Sequence, residues 1–161
     1  MIKSGKFISA LLLSSALMCA AIPSQSLQAQ TVTVTKEAIS DDLYCVTELV
    51  ETSGSGIQPF SATQTQSGSK TQRYVNSSGT TLWYVTVHAS FTYNGSTSSC
   101  TSADVTAESN SSAWKVTNKS SWKSGNTGYA SATGSHILSN SEITSTTRTV
   151  SISCTKNGTL Q

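Results

Sequence analysis

The sequence predicts an all-β protein built as an antiparallel β-sandwich of immunoglobulin-like kind, with a partly open β-barrel as the alternative. Three observations carry that expectation. In TLWYVTVHASFTY, residues 81–93, the residues Trp83, Val85, Val87, Ala89, Phe91 and Tyr93 take every second position. Successive strand side chains point to opposite faces, so this parity specifies a long half-buried strand. Seven or eight short stretches of this kind follow one another with turn signals between them, the rhythm of a two-layer antiparallel fold. No stretch beyond the N-terminal segment holds the 3.6-residue periodicity of an amphipathic helix.

Residues 1–29 read as a secretory signal peptide. Lys3 and Lys6 precede an apolar run from Phe7 to about Ile22, Pro23 ends it, and Leu27 and Ala29 stand at the two positions before the cut. The run is diluted by Ser9, Ser14 and Ser15 and falls short of the roughly 20 residues that span a bilayer. A secreted, extracellular protein beginning at Gln30 is the expectation, with no membrane span after cleavage.

What remains is one domain's worth of chain in which 26 Ser and 24 Thr occur. Such a composition can leave a chain disordered, but the strand periodicity argues for a fold. Two of the 10 Lys and Arg lie in the leader and none of the 8 Asp and Glu, so the mature chain carries no net charge. Neither nucleic acid nor an anionic membrane surface is an electrostatically favoured partner.

Along the mature chain, residues 30–52 form an N-terminal strand segment. Within it 31–35 and 43–51 are β-prone, because β-branched side chains fit a pleated surface. Residues 53–70, SGSGIQPFSATQTQSGSK, read as a flexible linker or long loop, and 71–161 as the β-sandwich domain. After the strand at 81–93, Asn94-Gly95 is a tight hairpin signal, and 99–108 returns as a strand with Ala103, Val105 and Ala107 on one parity. An apolar island at 113–116 precedes a polar loop, 117–126, which holds Trp122 alone. Residues 128–138 and 146–155 supply the last strands, the latter with Val150, Ile152 and Cys154 on one face.

Three cysteines remain after leader removal: Cys45, Cys100 and Cys154. In an exported chain an odd number implies one bridge and a leftover thiol. Cys100 opens one strand and Cys154 closes the last, so a bridge between them would staple the sandwich, contributing roughly 4 kcal/mol in the chain-entropy model. Alternatives are that Cys45 displaces one partner or that all three stay reduced. A leftover Cys45 allows a disulfide-linked dimer.

No catalytic set is visible. There is no H-x-H, HExxH or CxxC spacing for a metal, no cofactor-binding motif, and no G-x-S-x-G elbow. His88 falls on the polar parity of its strand, beside Thr86 and Ser90. Asp41 and Asp42 are adjacent, so on an extended segment they point apart and cannot act as an acid and base pair. The expected function is therefore that of a non-enzymatic extracellular or cell-surface module binding a glycan or a protein. Trp122 and Tyr84 are the candidate binding residues, since Trp83, Phe91 and Tyr93 share the core parity. The alternatives are a structural or effector protein without a small ligand, and a hydrolase using His88 or His136 with an unrecognised serine.

The series SGSKTQRYVNSSGTTLWYVTVHASFTYNGSTSSC, Ala113-Trp114, SGNTGYASATG and SISCTKNGTL, over about residues 67–161, resembles a group of small secreted proteins of Gram-positive, mostly gut-associated Firmicutes. The shared pattern runs FTYNG, Cys, Trp, SGN, Cys, NG and Leu. The resemblance implies an exported bacterial all-β domain in which the cysteines corresponding to Cys100 and Cys154 recur. It brings no activity, cofactor or catalytic residue, and Cys45 stands outside the shared pattern.

Overall fold

The computed structural model describes residues 30–52, 63–137 and 143–161. The expected signal peptide, and residues 53–62 of the expected linker, lie outside the described residues. Within them the chain forms eight strands: β1 (Gln30–Ser40), β2 (Leu43–Thr52), β3 (Gln64–Asn76), β4 (Thr81–Tyr93), β5 (Ser98–Ser109), β6 (Trp114–Ser124), β7 (Thr127–Ile137) and β8 (Ile143–Ser153). They make two antiparallel sheets, β1-β2-β3-β4-β5 and β6-β7-β8. The sandwich is as expected, and there is no closed barrel. The connectivity is a plain meander in each sheet, with one crossing between layers after β5, rather than the immunoglobulin order, in which the chain crosses between the sheets several times. Each hairpin simply returns beside the strand it left.

Two expected boundaries move. Residues 64–70 are not linker but the first half of β3, paired with β4 from Gln64↔Tyr93 to Lys70↔Val87. Period-2 polarity hid them: Gln66 and Gly68 face inward where apolar residues were sought, Gln66 being buried. Residues 30–52 are likewise no separate segment, for β2 pairs with β3 along its length. The β4–β5 turn spans Asn94 to Thr97 rather than two residues. Asn94 Oδ1 accepts from the amides of Ser96 and Thr97 at 3.0 and 2.9 Å, and Gly95 takes φ of 83°, which its missing Cβ permits.

The inward parity of β4 is the core, with Trp83, Val85, Val87, Ala89 and Phe91 all buried. Opposite them β7 offers Gly128, Ala130, Ala132 and Gly134. Large side chains on one sheet thus meet small ones on the other: a Cβ at Gly134 would collide with the Trp83 indole, and one at Gly128 would come within 2.9 Å of Ala89. Burying each Val or Phe side chain contributes about 1.5–3 kcal/mol. Val150, Ile152 and the C-terminal Leu160 complete the cluster, Leu160 being drawn in by the bridge Cys154↔Leu160.

The layers are joined at one side and offset at the other. β5 lies over β6 and β7, β4 over β7 and β8, and β3 over β8. The Cys100 amide donates to Gly125 O (2.9 Å) and the Gly95 amide to Lys156 O (2.8 Å), tying the two layers at one end, where the Cys154 amide also donates to Asn126 O (3.0 Å) within the smaller sheet. β1 and β2 run on past β8, and β1 is exposed on both faces from Val32 onward.

Candidate functional site

Trp122 is not in a loop. It lies on β6, which carries Trp114 eight residues earlier, a separation that in an unbroken strand would put both rings on one face. They lie on opposite faces because the β6–β7 register shifts between Thr117↔Thr133 and Ser120↔Ser131. One extra residue is accommodated there as a bulge, with Asn118 in the left-handed region at φ 51°, a conformation asparagine tolerates better than most. Trp114 therefore points inward and stacks on His136 (centroids 4.7 Å apart, planes at 7°). Trp122 points outward and stacks on its cross-strand partner Tyr129 (5.1 Å, 3°), and remains 44% exposed.

Around this pair the outer face of β6-β7-β8 is a sheet of hydroxyls. Thr133 and Thr147 pair through their Oγ1 atoms at 2.9 Å, Ser135 and Ser145 through their Oγ atoms at 2.8 Å, and Thr149 Oγ1 donates to Ser131 Oγ at 3.3 Å. Ser131 Oγ in turn donates to Arg148 O at 3.1 Å, so both O–H groups of that pair are spent, and Ser131 and Thr133 are buried. In each of the other two pairs one O–H and several lone pairs remain. Neither Tyr129 nor this array was among the sequence candidates. The signal that could have found them is the parity of β7 and β8 opposite the buried alanines, where Tyr129, Ser131 and Thr133 meet Thr147, Thr149 and Ser151.

Tyr84, the other candidate, lies on the outer face of the other sheet, so the two aromatics do not form one site. It is half-buried between its cross-strand neighbours Arg73 and Glu108. Burial first and the Glu108 carboxylate second push its hydroxyl pKa up. Arg73 is ion-paired with Glu48. A ring held in a row of charges offers less open area than Trp122.

On that same face the register places Ser69, His88 and Asp104 side by side on β3, β4 and β5. A shallow depression of about 300 Å³ there is lined by serines, His88 and Asp104, and Ser67 Oγ lies 3.0 Å from Ser90 Oγ. His88 is exposed, as expected for its parity. A hydroxyl, an imidazole and a carboxylate are thus neighbours, but the surrounding amides are committed to the strand ladders and not free to hold an oxyanion. His136 forms part of the aromatic wall of the core. Among the described residues no group of three or more His, Cys, Asp or Glu could hold a metal ion.

The expected Cys100–Cys154 bridge is not formed: Cys45, Cys100 and Cys154 are all free and buried. Each of the two thiols turns to a nearby carbonyl, Cys100 Sγ to Ser102 O at 3.2 Å and Cys154 Sγ to Thr155 O at 3.4 Å. They nevertheless lie at the same end of the sandwich. Burial raises both thiol pKa values, and for Cys154 the neighbouring Glu51 and Cys100 raise it further. Cys45 faces a cleft beside Tyr74 and Arg148.

No protein-family model, curated protein or solved structure matches this chain.

Proposed function

We propose that the protein is an exported, non-enzymatic binding module that holds an uncharged glycan on the outer face of β6-β7-β8. The stacked Trp122–Tyr129 pair carries this reading. It is a rigid aromatic platform of little rotamer entropy, placed on a sheet face whose other side chains are mostly Ser and Thr, those of β6 and β8 being exposed. A sugar ring presents an apolar C–H face and a rim of hydroxyls, which matches a ring face bordered by Ser and Thr that can both donate and accept. The zero net charge of residues 30–161 fits a neutral ligand, and the leader-like residues 1–29 support action outside the cell.

The test is binding of the purified protein to a glycan array, cell-wall polymers and mucin, with Trp122→Ala and Tyr129→Ala as controls. Saturable binding lost in both controls while the fold survives is the expected result. Binding that is indifferent to both would remove this face from consideration.

A further inference from the structure

The five-stranded sheet overhangs the three-stranded one by two strands, β2 and β1, and this leaves two long edges with which no other strand among the described residues pairs. β1 is the last strand of one sheet and β8 of the other. Folded proteins protect such edges with charges, prolines, bulges or short strands. β8 spans 11 residues. At its end it is paired by the chain's own tail, Ser153 and Gln161 exchanging amide bonds at 3.1 and 3.0 Å, but from Ile143 to Ile152 it has none of these protections: it pairs with β7 without a register shift and contains no proline. Its one charged side chain, Arg148, turns inward over the Tyr74 ring, 5.6 Å from the ring centroid. β1 also spans 11 residues; its charges, Lys36 and Glu37, and its one irregularity, at Ala38/Ser40, are confined to its second half, which leaves residues 30–35 uncharged and regular.

We propose that these two edges are an interface for a second copy of this chain. Two copies related by a two-fold axis parallel to the strands join β1 of each to β8 of the other. Each layer then becomes one continuous eight-stranded sheet, five strands from one copy and three from the other, and the two overhangs stack face to face.

Three features of the fold select this arrangement. The first is strand count. With β3 over β8, the slot beyond β8 is two strands wide, about 10 Å at the usual inter-strand spacing, and the overhang that must fill it is β1–β2 of the second copy. The second is direction. Cys100 at the start of β5 and Cys154 at the end of β8 lie at the same end, beside Gly125 and Asn126. β5 therefore leaves that end and β8 approaches it. β1, β3 and β5 run together in the meander, so β1 runs opposite to β8, and an axis along the strands keeps that relation. The new pairing is antiparallel, like every other in the molecule. The third is exclusion of the simpler alternative: pairing β8 with the β8 of a second copy would drive each overhang into the sheet above the other copy's β8.

By register the overhang's inner face presents Thr33, Thr35, Thr47 and Leu49, with Glu37 at one end beside Arg148 and Glu51 at the other accepting from the Leu160 amide. The face is largely polar, so the main-chain ladders of the two junctions carry the association. Because the same patch serves both copies, the contact closes at two and does not propagate. It needs no disulfide.

Sedimentation velocity under reducing conditions, on the protein expressed from the full 161-residue sequence, tests the proposal. A dimer is expected. In an antiparallel edge strand successive amides point alternately into the sheet and away from it, so within each pair Thr33→Pro and Val34→Pro, or Thr146→Pro and Thr147→Pro, one variant blocks only the outward edge. That variant keeps its circular dichroism and Tm and sediments as a monomer. Mixing the β1-blocked with the β8-blocked chain restores association, because one of the two junctions is then intact.

A monomeric wild type at every concentration overturns the proposal, as does a dimer that survives the fold-preserving proline or is lost in Cys45→Ser. Hydrogen exchange on the unmodified protein gives an independent reading. Protection of β1 and β8 amides comparable to β3 supports the interface, and fast exchange of alternate amides along both edges overturns it.

Discussion

β6 carries two tryptophans with opposite surroundings. Trp114 belongs to a ladder that runs through the sandwich, Tyr74 on Trp83 at 4.5 Å, Trp83 near Trp114 at 6.3 Å, Trp114 on His136 at 4.7 Å. Trp122 stacks as closely on Tyr129, yet stands on the outside. Residue type, partner type and ring geometry are nearly the same, and only the face differs. A single bulged residue near Asn118 sets that difference, so the β6 bulge separates a core tryptophan from a surface one.

The inner tryptophans are the more sensitive of the two sets. Trp83→Ala removes the ring shared by Tyr74, Trp114 and the Gly134 notch, and large-to-small core changes of this kind cost about 3–5 kcal/mol. Chemical denaturation should show that loss, whereas a cost below about 1 kcal/mol would mean the ladder is not the centre of the core. Asn118→Val attacks the divider itself. A β-branched residue in the left-handed region costs about 1–2 kcal/mol, and the Trp122 fluorescence should change with it, because the outer register of β6 is disturbed first.

A pH titration separates the two regions by their titratable groups. Burial raises the pKa of Tyr74, Cys100 and Cys154 in the folded chain, so the folded state holds these protons more tightly than the unfolded one. Below the ordinary thiol value of 9.0 both states are protonated and the three groups leave stability unchanged. As pH rises past it the unfolded chain releases protons first, and stability falls. Cys100→Ser and Cys154→Ser should flatten part of that fall, while Trp122→Ala should leave it as it is. The smallest effect on stability belongs to Trp122→Ala, about 1 kcal/mol or less from loss of the exposed ring pair. A larger loss would assign Trp122 to the core.

Much of the interior was legible in the sequence because alternation is read one strand at a time. Trp83, Val85, Val87 and Phe91 announce a buried face whatever they pack against, and His88 on the other parity is exposed for the same reason. The reading failed where the inward parity is polar or small. Gln66 and Gly68 hid the first half of β3, and the Ser and Thr of 117–126 hid the second half of β6. The candidate site failed differently. Trp122 was singled out as exposed, but its partner Tyr129 and the hydroxyl rows depend on which residue faces which across strands, a relation that one strand's periodicity does not contain.

The strand class, the faces of β4, β5 and β8 and the hydroxyl-rich character of the surface were all readable in the sequence before any fold was known, since they follow from side-chain chemistry and period-2 geometry. Only the folded chain settles the register across the β6 bulge, the meeting of Trp122 with Tyr129, the turning of the Cys100 and Cys154 thiols to carbonyls instead of to each other, and the two-strand overhang of β1 and β2. All four depend on how segments far apart in the chain are set against one another. Packing between the layers sets such relations, and local propensity does not.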